Sequence, residues 1–158
     1  MAKHKKTAEN TIALNRKASH EYFFETQYEA GIELMGWEVK SIRAGRANIK
    51  ESYVLIKDTQ AWIIGMHISP LTSASTHVKT DPVRTRRLLL HRAELKKLIG
   101  ASQRDGYTIV MLSLYWKKQC IKAKIALAKG KQLHDKRVSE KAKDWTREKG
   151  RIMKDAGR

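Results

Sequence analysis

The residues with the most recognisable chemistry are lysines and arginines placed near rings that can stack on bases. Lys122 and Lys124 stand two residues apart in a strand-like stretch and so line one of its faces. Ammonium groups at that spacing can follow a phosphate backbone, and guanidinium groups can fork onto phosphates. Three groups of residues therefore favour RNA binding: Lys122 with Lys124, Arg84 with Arg86 and Arg87, and His134 with Trp145 among the basic residues of the C-terminal segment.

Each of these features also has a plainer explanation. The two-lysine face can be an ordinary solvated surface, which taken alone is as common. Trp145 can anchor the C-terminal segment on the rest of the protein, and His134 can be an ordinary surface histidine. Glu29 can accept a hydrogen bond from a base amino group, or it can neutralise a neighbouring cation, which is the more common use.

The C-terminal segment, residues 129–158, has the pattern of a cationic helix. It contains eleven Lys and Arg against five Asp and Glu, a balance of +6. It has too few large apolar residues to form a core, so we expect it to be disordered alone and helical against a polyanion. One helix face is nevertheless marked by steps of four, three, four and three residues, through Val138, Ala142, Trp145, Lys149 and Ile152.

Composition supports a nucleic-acid partner. The 158 residues include 33 Lys and Arg against 16 Asp and Glu, which gives a net charge of +17 and a pI near 10.1. A membrane-surface role is weaker, because the C-terminal segment has only scattered apolar residues. The single cysteine, Cys120, excludes a disulfide framework and a thiolate metal cluster. No signal peptide and no long apolar run is present, so we expect a soluble, cytoplasmic protein without membrane contact.

Catalytic patterns are missing from the sequence. The six histidines show no metal-ligand spacing, and neither a phosphate-binding loop of the G-x-x-x-x-G-K-[ST] type nor a G-x-S-x-G motif occurs. His20 and Glu21 could be imagined as the acid/base pair of an RNA-cleaving enzyme. They are adjacent, however, and neighbours on a strand point to opposite faces, so they would not act together directly. We therefore expect no catalytic residues, no metal site, no cofactor and no enzymatic activity.

Periodicity predicts a mainly β fold with two short helices. Strands are expected at His20–Tyr28, Tyr53–Lys57, Ala61–Ser69, Tyr107–Trp116 and Ile121–Ala128, with Ala30-Gly31 as a break. Helices are expected at Leu34–Ala44, closed by Gly45, and at Arg92–Ile99, stopped by Gly100. This arrangement indicates an oligonucleotide/oligosaccharide-binding (OB) type of β-barrel over 12–129, between a flexible basic N-terminus, 1–11, and a basic tail, 130–158.

The chain resembles the small protein B (SmpB) family, whose members bind transfer-messenger RNA (tmRNA). Short matching motifs recur in order along nearly the whole length. They are A-L-N-R-K-A-S-H-E-Y at 13–22, E-A-G-I-E-L-M-G-W-E-V-K-S-I-R-A-G at 29–45, N-I-K-E-S-Y at 48–53, D-P-V-R-T-R-R-L-L-L-H at 81–91, G-Y-T-I-V at 106–110, L-Y-W-K at 114–117 and A-K-G-K-Q-L-H-D-K-R at 128–137.

The resemblance implies an OB-like barrel that binds the tRNA-like domain of tmRNA and a tail that acts on the ribosome. Such a protein delivers alanyl-tmRNA, together with EF-Tu, to ribosomes stalled on broken messages. The family's tmRNA contacts correspond to Asn15, Glu29, Leu89 and Lys122. Other family residues act in the tail, at the decoding centre of the small-subunit rRNA and in the empty message channel. They correspond to Gly130 as the pivot, to Lys131, His134, Asp135, Lys136 and Arg137, and to the distal Ile152, Met153 and Lys154.

Two other functions are compatible with parts of the pattern. A generic ribosome-associated or RNA-chaperone barrel would explain the charge and the predicted barrel, but not the series of motifs. An RNA-processing enzyme would need a catalytic set that the sequence does not display. The adaptor is expected to act as a monomer and to prefer one tRNA-like RNA at salt that removes nonspecific contacts.

Overall fold

The computed structural model describes residues 10–72, 79–104 and 106–157, without the side chains of 133–135 and 155. Most of the predicted flexible N-terminus, residues 1–9, lies outside the described residues. The elements are β1 (Thr11–Leu14), α1 (Arg16–Glu21), β2 (Tyr22–Ile32), α2 (Gly36–Arg43), β3 (Ala47–Asn48), β4 (Tyr53–Lys57), β5 (Gln60–Ile64), β6 (His67–Ile68), β7 (Arg86–Leu89), α3 (Arg92–Ser102), β8 (Tyr107–Lys117), β9 (Cys120–Gly130) and α4 (Leu133–Ala156).

Six strands close into an antiparallel ring, which confirms the predicted OB-like barrel. Their order is β8-β4-β5-β7-β2-β9, and β9 returns to pair with β8. Strand β1 pairs with the second half of β8, beyond the residues of β8 that pair with β4. The short strands β3 and β6 form a separate pair. Closure leaves few free strand edges, so the backbone groups of the barrel are largely satisfied within it.

Strand β9 separates two hydrophobic clusters. One face carries Ala123, Ile125 and Leu127 into the main core. The other face begins with the lysines that the alternation predicted, but its second half, Ala126 and Ala128, is buried in a smaller cluster. This happens because α1 lies over that half of the barrel with its buried Ala18 in the same cluster. Only the first half of the lysine face therefore reaches solvent.

The stretch from His20 to Tyr28 was predicted as one strand, and this was wrong at its start. Residues Arg16–Glu21 form α1, so the described residues of the body contain three short helices rather than two. The carboxamide Oδ1 of Asn15 accepts the Ala18 N–H at 3.2 Å and starts this helix. A β-bulge between Phe24 and Thr26 then shifts the side-chain alternation, which leaves Thr26 exposed instead of buried.

Three predicted boundaries also differ from the structure. Strand β2 continues through Ala30 to Ile32 because β9 pairs with its outer part on one edge and β7 on the other. Helix α3 passes through Gly100 to Ser102. The strand predicted from Ala61 to Ser69 is divided at Gly65. This position requires glycine, because its φ is +80° and because a Cβ there would lie 2.5 Å from the Glu51 carbonyl oxygen.

A buried carboxylate anchors α2 to the barrel. Glu38 of α2 is fully buried, and its Oε1 lies 2.8 Å from Nε of Arg84 while its Oε2 lies 3.1 Å from Nε of Arg86. Arg86 is also fully buried and donates to the carbonyl oxygens of Met66 at 2.9 Å and Pro82 at 3.2 Å. The two guanidinium groups thus tie α2, β7 and the chain around Pro82 to one acceptor.

We predict that Glu38→Gln strongly destabilises the fold. The substitution leaves the buried Arg86 guanidinium without its counter-charge, which costs about 3 kcal/mol or more of unfolding free energy. Urea denaturation followed by circular dichroism measures this loss. Glu33→Gln is the matched control, because its ion pair with Arg87 is exposed on both sides and contributes less than about 1 kcal/mol. Equal losses of unfolding free energy in the two variants would contradict the role of Glu38 as the anchor of α2.

The same pair predicts a pH dependence. Burial alone would raise the pKa of Glu38, but the hydrogen bonds from Arg84 and Arg86 outweigh it and hold the pKa below the usual 4.5. A depressed carboxyl pKa stabilises the fold above the unfolded-state pKa, and the contribution is lost as pH falls through the folded-state pKa. The stability difference between wild type and Glu38→Gln should be constant from pH 7 to about pH 5 and shrink below 4.5. A difference unchanged at pH 3 would refute the charge-based origin.

Candidate nucleic-acid interface

The barrel collects the family-matched residues on one outer face, because cross-strand pairing places them in neighbouring rows. In the first row Leu89 of β7 is opposite Gly31 of β2, Gly31 is opposite Lys122 of β9, and Lys122 is opposite Tyr115 of β8. Their neighbours in each strand, including Leu88, Ala30 and Ala123, are buried. The row therefore faces outward across four strands.

The second row runs parallel to the first and carries the acidic residue. Glu29 of β2 is opposite Lys124 of β9, Lys124 is opposite Ser113 of β8, and Ser113 is opposite Leu14 of β1. Asn15 follows Leu14 directly. The four positions that the resemblance assigned to tmRNA thus lie on or beside one surface, although they come from four separate parts of the chain.

Gly31 lets Leu89 approach the barrel closely. A Cβ at position 31 would lie 3.2 Å from the Leu89 Cβ, so a larger residue there would push the leucine away. The Leu89 side chain is about half exposed, 51%. With Trp116 and Lys122 it borders a shallow groove of about 330 Å³, and the Arg43 guanidinium lies 5.8 Å from the Trp116 ring centre. The groove can offer an apolar floor and a cation to an unstacked base.

Glu29 occupies a second, larger groove of about 540 Å³ and is held there by two donors. Lys117 Nζ lies 2.8 Å from its Oε1, and the Tyr115 hydroxyl donates to its Oε2. The hydrogen bond from Lys117, followed by that from Tyr115, lowers the pKa of Glu29. Burial and then the hydrogen bond to Glu29 raise the pKa of Tyr115 well above its usual range. The carboxylate is therefore ionised and fixed at neutral pH.

Tyr115 and Lys117 were not identified from the sequence. Both belong to the long apolar strand β8, where they share the outward face. The strand predicted at Tyr107–Trp116 ends one residue before Lys117, whereas β8 includes it. Their alternation with buried residues was visible in the sequence, but their closeness to Glu29 depends on β9 lying between β2 and β8 at its observed register.

Asn15 is held by two hydrogen bonds within the protein. Only 6% of the residue is exposed, since its Oδ1 caps α1 and its Nδ2 donates to the Met111 carbonyl at 2.9 Å. It also borders a groove of about 280 Å³ with Arg16 and Lys124. Substituting Asn15 would therefore displace α1 and the groove wall, which gives an indirect route to weaker RNA binding.

The arginine group does not form the predicted phosphate fork. Arg86 has no exposed surface, and Arg84 is only 26% exposed and bound to Glu38. Arg87 is 40% exposed, with its Nε 3.0 Å from Glu33 Oε2. The alternation of β7 explains the difference, because Arg86 points inward and Arg87 outward. Of the three, only Arg87 offers substantial surface to a phosphate, so the assignment of Arg86 to RNA contact was wrong.

Lys131 connects the barrel to α4 directly after Gly130, the last residue of β9. Its N–H donates to the Glu21 carbonyl at 2.8 Å, and its Nζ lies 3.2 Å from the Ser19 carbonyl and 3.3 Å from Ser139 Oγ. The same ammonium is 4.9 Å from the centre of the Phe23 ring. Glu140, which follows Ser139 in α4, has its Oε1 3.4 Å from His20 Nε2. These contacts hold the first turns of α4 against the end of α1.

The tail is a continuous helix, as its spacing predicted, and its apolar side chains remain exposed. Val138, Trp145, Ile152 and Met153 are 59%, 67%, 62% and 68% exposed. Trp145 is therefore not an anchor onto the barrel in this structure. Arg137 and Lys154 are also exposed and Lys136 is half-buried, whereas the side chains of His134 and Asp135 lie outside the described residues. Disorder of the free tail remains a prediction.

The described residues present binding surfaces on the outer face of the barrel. Among them, no group of three His, Cys, Asp or Glu side chains is placed to hold a metal ion. In the same residues no helix has the length and hydropathy needed to cross a membrane. What the outer face provides is a set of outward lysines, three grooves and one fixed carboxylate. Such a combination can bind phosphates and distinguish bases.

We predict that Lys131→Gln loosens the start of α4. Loss of the two Nζ hydrogen bonds should raise amide hydrogen exchange of residues 136–142 on the order of tenfold, because less free energy opposes local opening. Lys143→Gln, further along the same helix, is the control and should leave that segment unchanged. Unchanged exchange in Lys131→Gln would show that these contacts do not hold the tail.

Comparisons with known proteins agree with this arrangement. The SmpB protein family matches residues 12–155. SsrA-binding proteins of Pseudomonas paraeruginosa and Azotobacter vinelandii are 60% and 57% identical, over 98% and 100% of this chain and 97% and 99% of theirs. A solved structure described as "tmRNA-SmpB: a journey to the center of the bacterial ribosome" is 37% identical, with a TM-score of 0.63, over 79% of this chain and 91% of that one. The chain belongs to the SmpB family.

Proposed function

We propose that this protein binds the SsrA RNA, tmRNA, and serves trans-translation, the rescue of ribosomes stalled on broken messages. The observation that carries the proposal is the outer face itself. Two adjacent cross-strand rows contain Glu29, Leu89 and Lys122, which the family resemblance assigns to RNA contact. Lys124 belongs to the same rows and lies on β9, the strand between β2 and β8. The barrel would hold the tRNA-like domain of tmRNA on this face.

The tail has a separate role in the proposal. Its helix would enter the decoding centre and the empty message channel of the small subunit, where its lysines and arginines meet rRNA phosphates. The exposed ridge of Val138, Trp145, Ile152 and Met153 supports this, because those side chains are left uncovered by the barrel. A helix of this charge can occupy only a channel without message, since bound message would already fill the anionic groove.

The remaining features of the proposal come from the family resemblance. The protein would act without catalysis, by binding alone, and would need no cofactor. It would work as a cytoplasmic monomer that delivers alanyl-tmRNA in company with EF-Tu. The charge of +17 supports an RNA-directed role, since a broad cationic surface steers association with polyanions.

We expect selective RNA binding to belong to the barrel. Affinities for the tRNA-like domain of tmRNA and for a bulk tRNA pool should be compared at raised salt, for the full chain and for a form ending at Gly130. All buried core residues of the described chain precede Gly130, so the shorter form keeps its core. Both forms should prefer the tRNA-like domain, and only the full chain should support tagging on stalled ribosomes in vitro.

Failure would take one of three distinguishable forms. A full chain that binds both RNAs equally would favour a generic RNA-binding barrel and overturn the proposal. Selectivity that disappears only in the shorter form would place recognition in the tail and reverse the assigned roles. Rescue activity of the shorter form equal to that of the full chain would contradict the proposed role of α4.

We further expect Lys122→Gln and Lys124→Gln each to weaken binding of the tRNA-like domain. Each loses a phosphate contact, so the slope of log affinity against log salt should fall by about one. Lys57→Gln is the matched control, because Lys57 is an exposed lysine of β4, outside both rows. Equal effects of all three substitutions would indicate nonspecific charge rather than a defined face.

A further inference from the structure

The carboxylate of Glu29 needs an explanation beyond charge balance. It lies in a groove that also contains Lys117 and Lys124, and it is the one acidic residue among the described residues that line this groove. On a surface that binds a polyanion, a carboxylate repels phosphates and removes a lysine from their reach. Its presence is therefore unfavourable for RNA affinity unless the carboxylate itself recognises part of the RNA.

The geometry leaves the carboxylate partly unsatisfied. A carboxylate offers about four acceptor positions, two on each oxygen. Among the residues that the structure describes, Lys117 uses one on Oε1 and Tyr115 uses one on Oε2, which leaves one on each oxygen for a ligand. The Glu29 side chain is 40% exposed toward the groove. Because both oxygens are already held, the carboxylate presents this pair of acceptors in one fixed orientation.

Neutralisation of Lys117 alone does not account for this arrangement. The Lys117 side chain is 56% exposed and can be solvated by water. The Tyr115 hydroxyl is uncharged and needs no counter-ion, yet it orients the second oxygen. Two donors of different kinds, one for each oxygen, fix the direction of the group, which is the property that hydrogen-bond recognition requires.

Among the RNA bases, guanine matches two parallel acceptors. Its Watson–Crick edge has N1–H and an N2 amino group side by side, so both can donate to one carboxylate. Adenine and cytosine present an amino group beside an unprotonated ring nitrogen, and uracil presents one N–H between two carbonyls. In those three bases an acceptor would face the carboxylate and repel it.

We propose that Glu29, positioned by Tyr115 and Lys117, accepts the N1–H and N2–H donors of an unpaired guanine in the bound RNA. The inference rests on the proposed function and specifies the base that the site reads. Glu29 contacts the base, whereas Tyr115 and Lys117 act by orienting Glu29. Lys124, opposite Glu29 in the neighbouring strand, is placed for the phosphate of the same or the next nucleotide.

Chemical footprinting of the tRNA-like domain of tmRNA tests this directly. Kethoxal modifies N1 and N2 of unpaired guanines, and dimethyl sulfate reports N1 of adenine and N3 of cytosine. The full-length wild type should protect at least one unpaired guanine from kethoxal, and Glu29→Gln should lose that protection. The amide keeps the shape of the side chain but can accept on only one atom, so affinity should fall on the order of tenfold.

Tyr115→Phe and Lys117→Gln test the positioning role at saturating protein. Each should weaken protection of the same guanine severalfold and leave the other footprints in place, which a general loss of folding would not do. Lys57→Gln should reproduce the wild-type pattern. Circular dichroism melting of every variant provides the check on folding.

The possible results separate this inference from the proposed function. A wild type that does not bind the tRNA-like domain overturns both. Normal binding with the same guanine protections in wild type and Glu29→Gln overturns the guanine assignment alone. Loss of protection at an adenine or cytosine instead also overturns it, because the carboxylate would then read a single amino group.

Discussion

The two-sided pairing of β9 is the constraint on which the rest of the structure depends. Along most of its length this strand is bonded to β2 on one edge and to β8 on the other, and that double pairing closes the barrel. Alternation along β9 then sends Ala123, Ile125 and Leu127 inward and Lys122 and Lys124 outward. A slip of one residue would bury both lysines and expose the core, so burial of the apolar face specifies the register of the two outward rows.

Charge is divided between two physically different uses. The buried Glu38 with Arg84 and Arg86 joins α2 to the barrel, and breaking this cluster leaves an uncompensated ion inside the protein. The outward lysines, in contrast, are hydrated and free to exchange water for phosphate. The net charge of +17 therefore overstates the number of cations available to RNA, because part of it stabilises the fold.

The tail is mechanically distinct from the barrel. Its fixed contacts lie near its start, at Lys131 and Glu140, while the apolar ridge beyond them is exposed. Among the described residues, few contacts beyond this start oppose rotation of the helix, so the role proposed for the tail, binding to rRNA phosphates, would cost little folding free energy. The proposed function divides the two RNAs in the same way, with one for the barrel and one for the tail.

Sequence alone determined what depends on neighbours along the chain. The two-residue period of β9, the helical spacing of the tail, the helix ending at Gly45 and the basic composition were all readable, because backbone geometry imposes those periods locally. Tertiary structure decided what depends on distant partners. The inward direction of Arg86 and the meeting of Tyr115 and Lys117 with Glu29 follow from cross-strand register and burial, which no local pattern encodes.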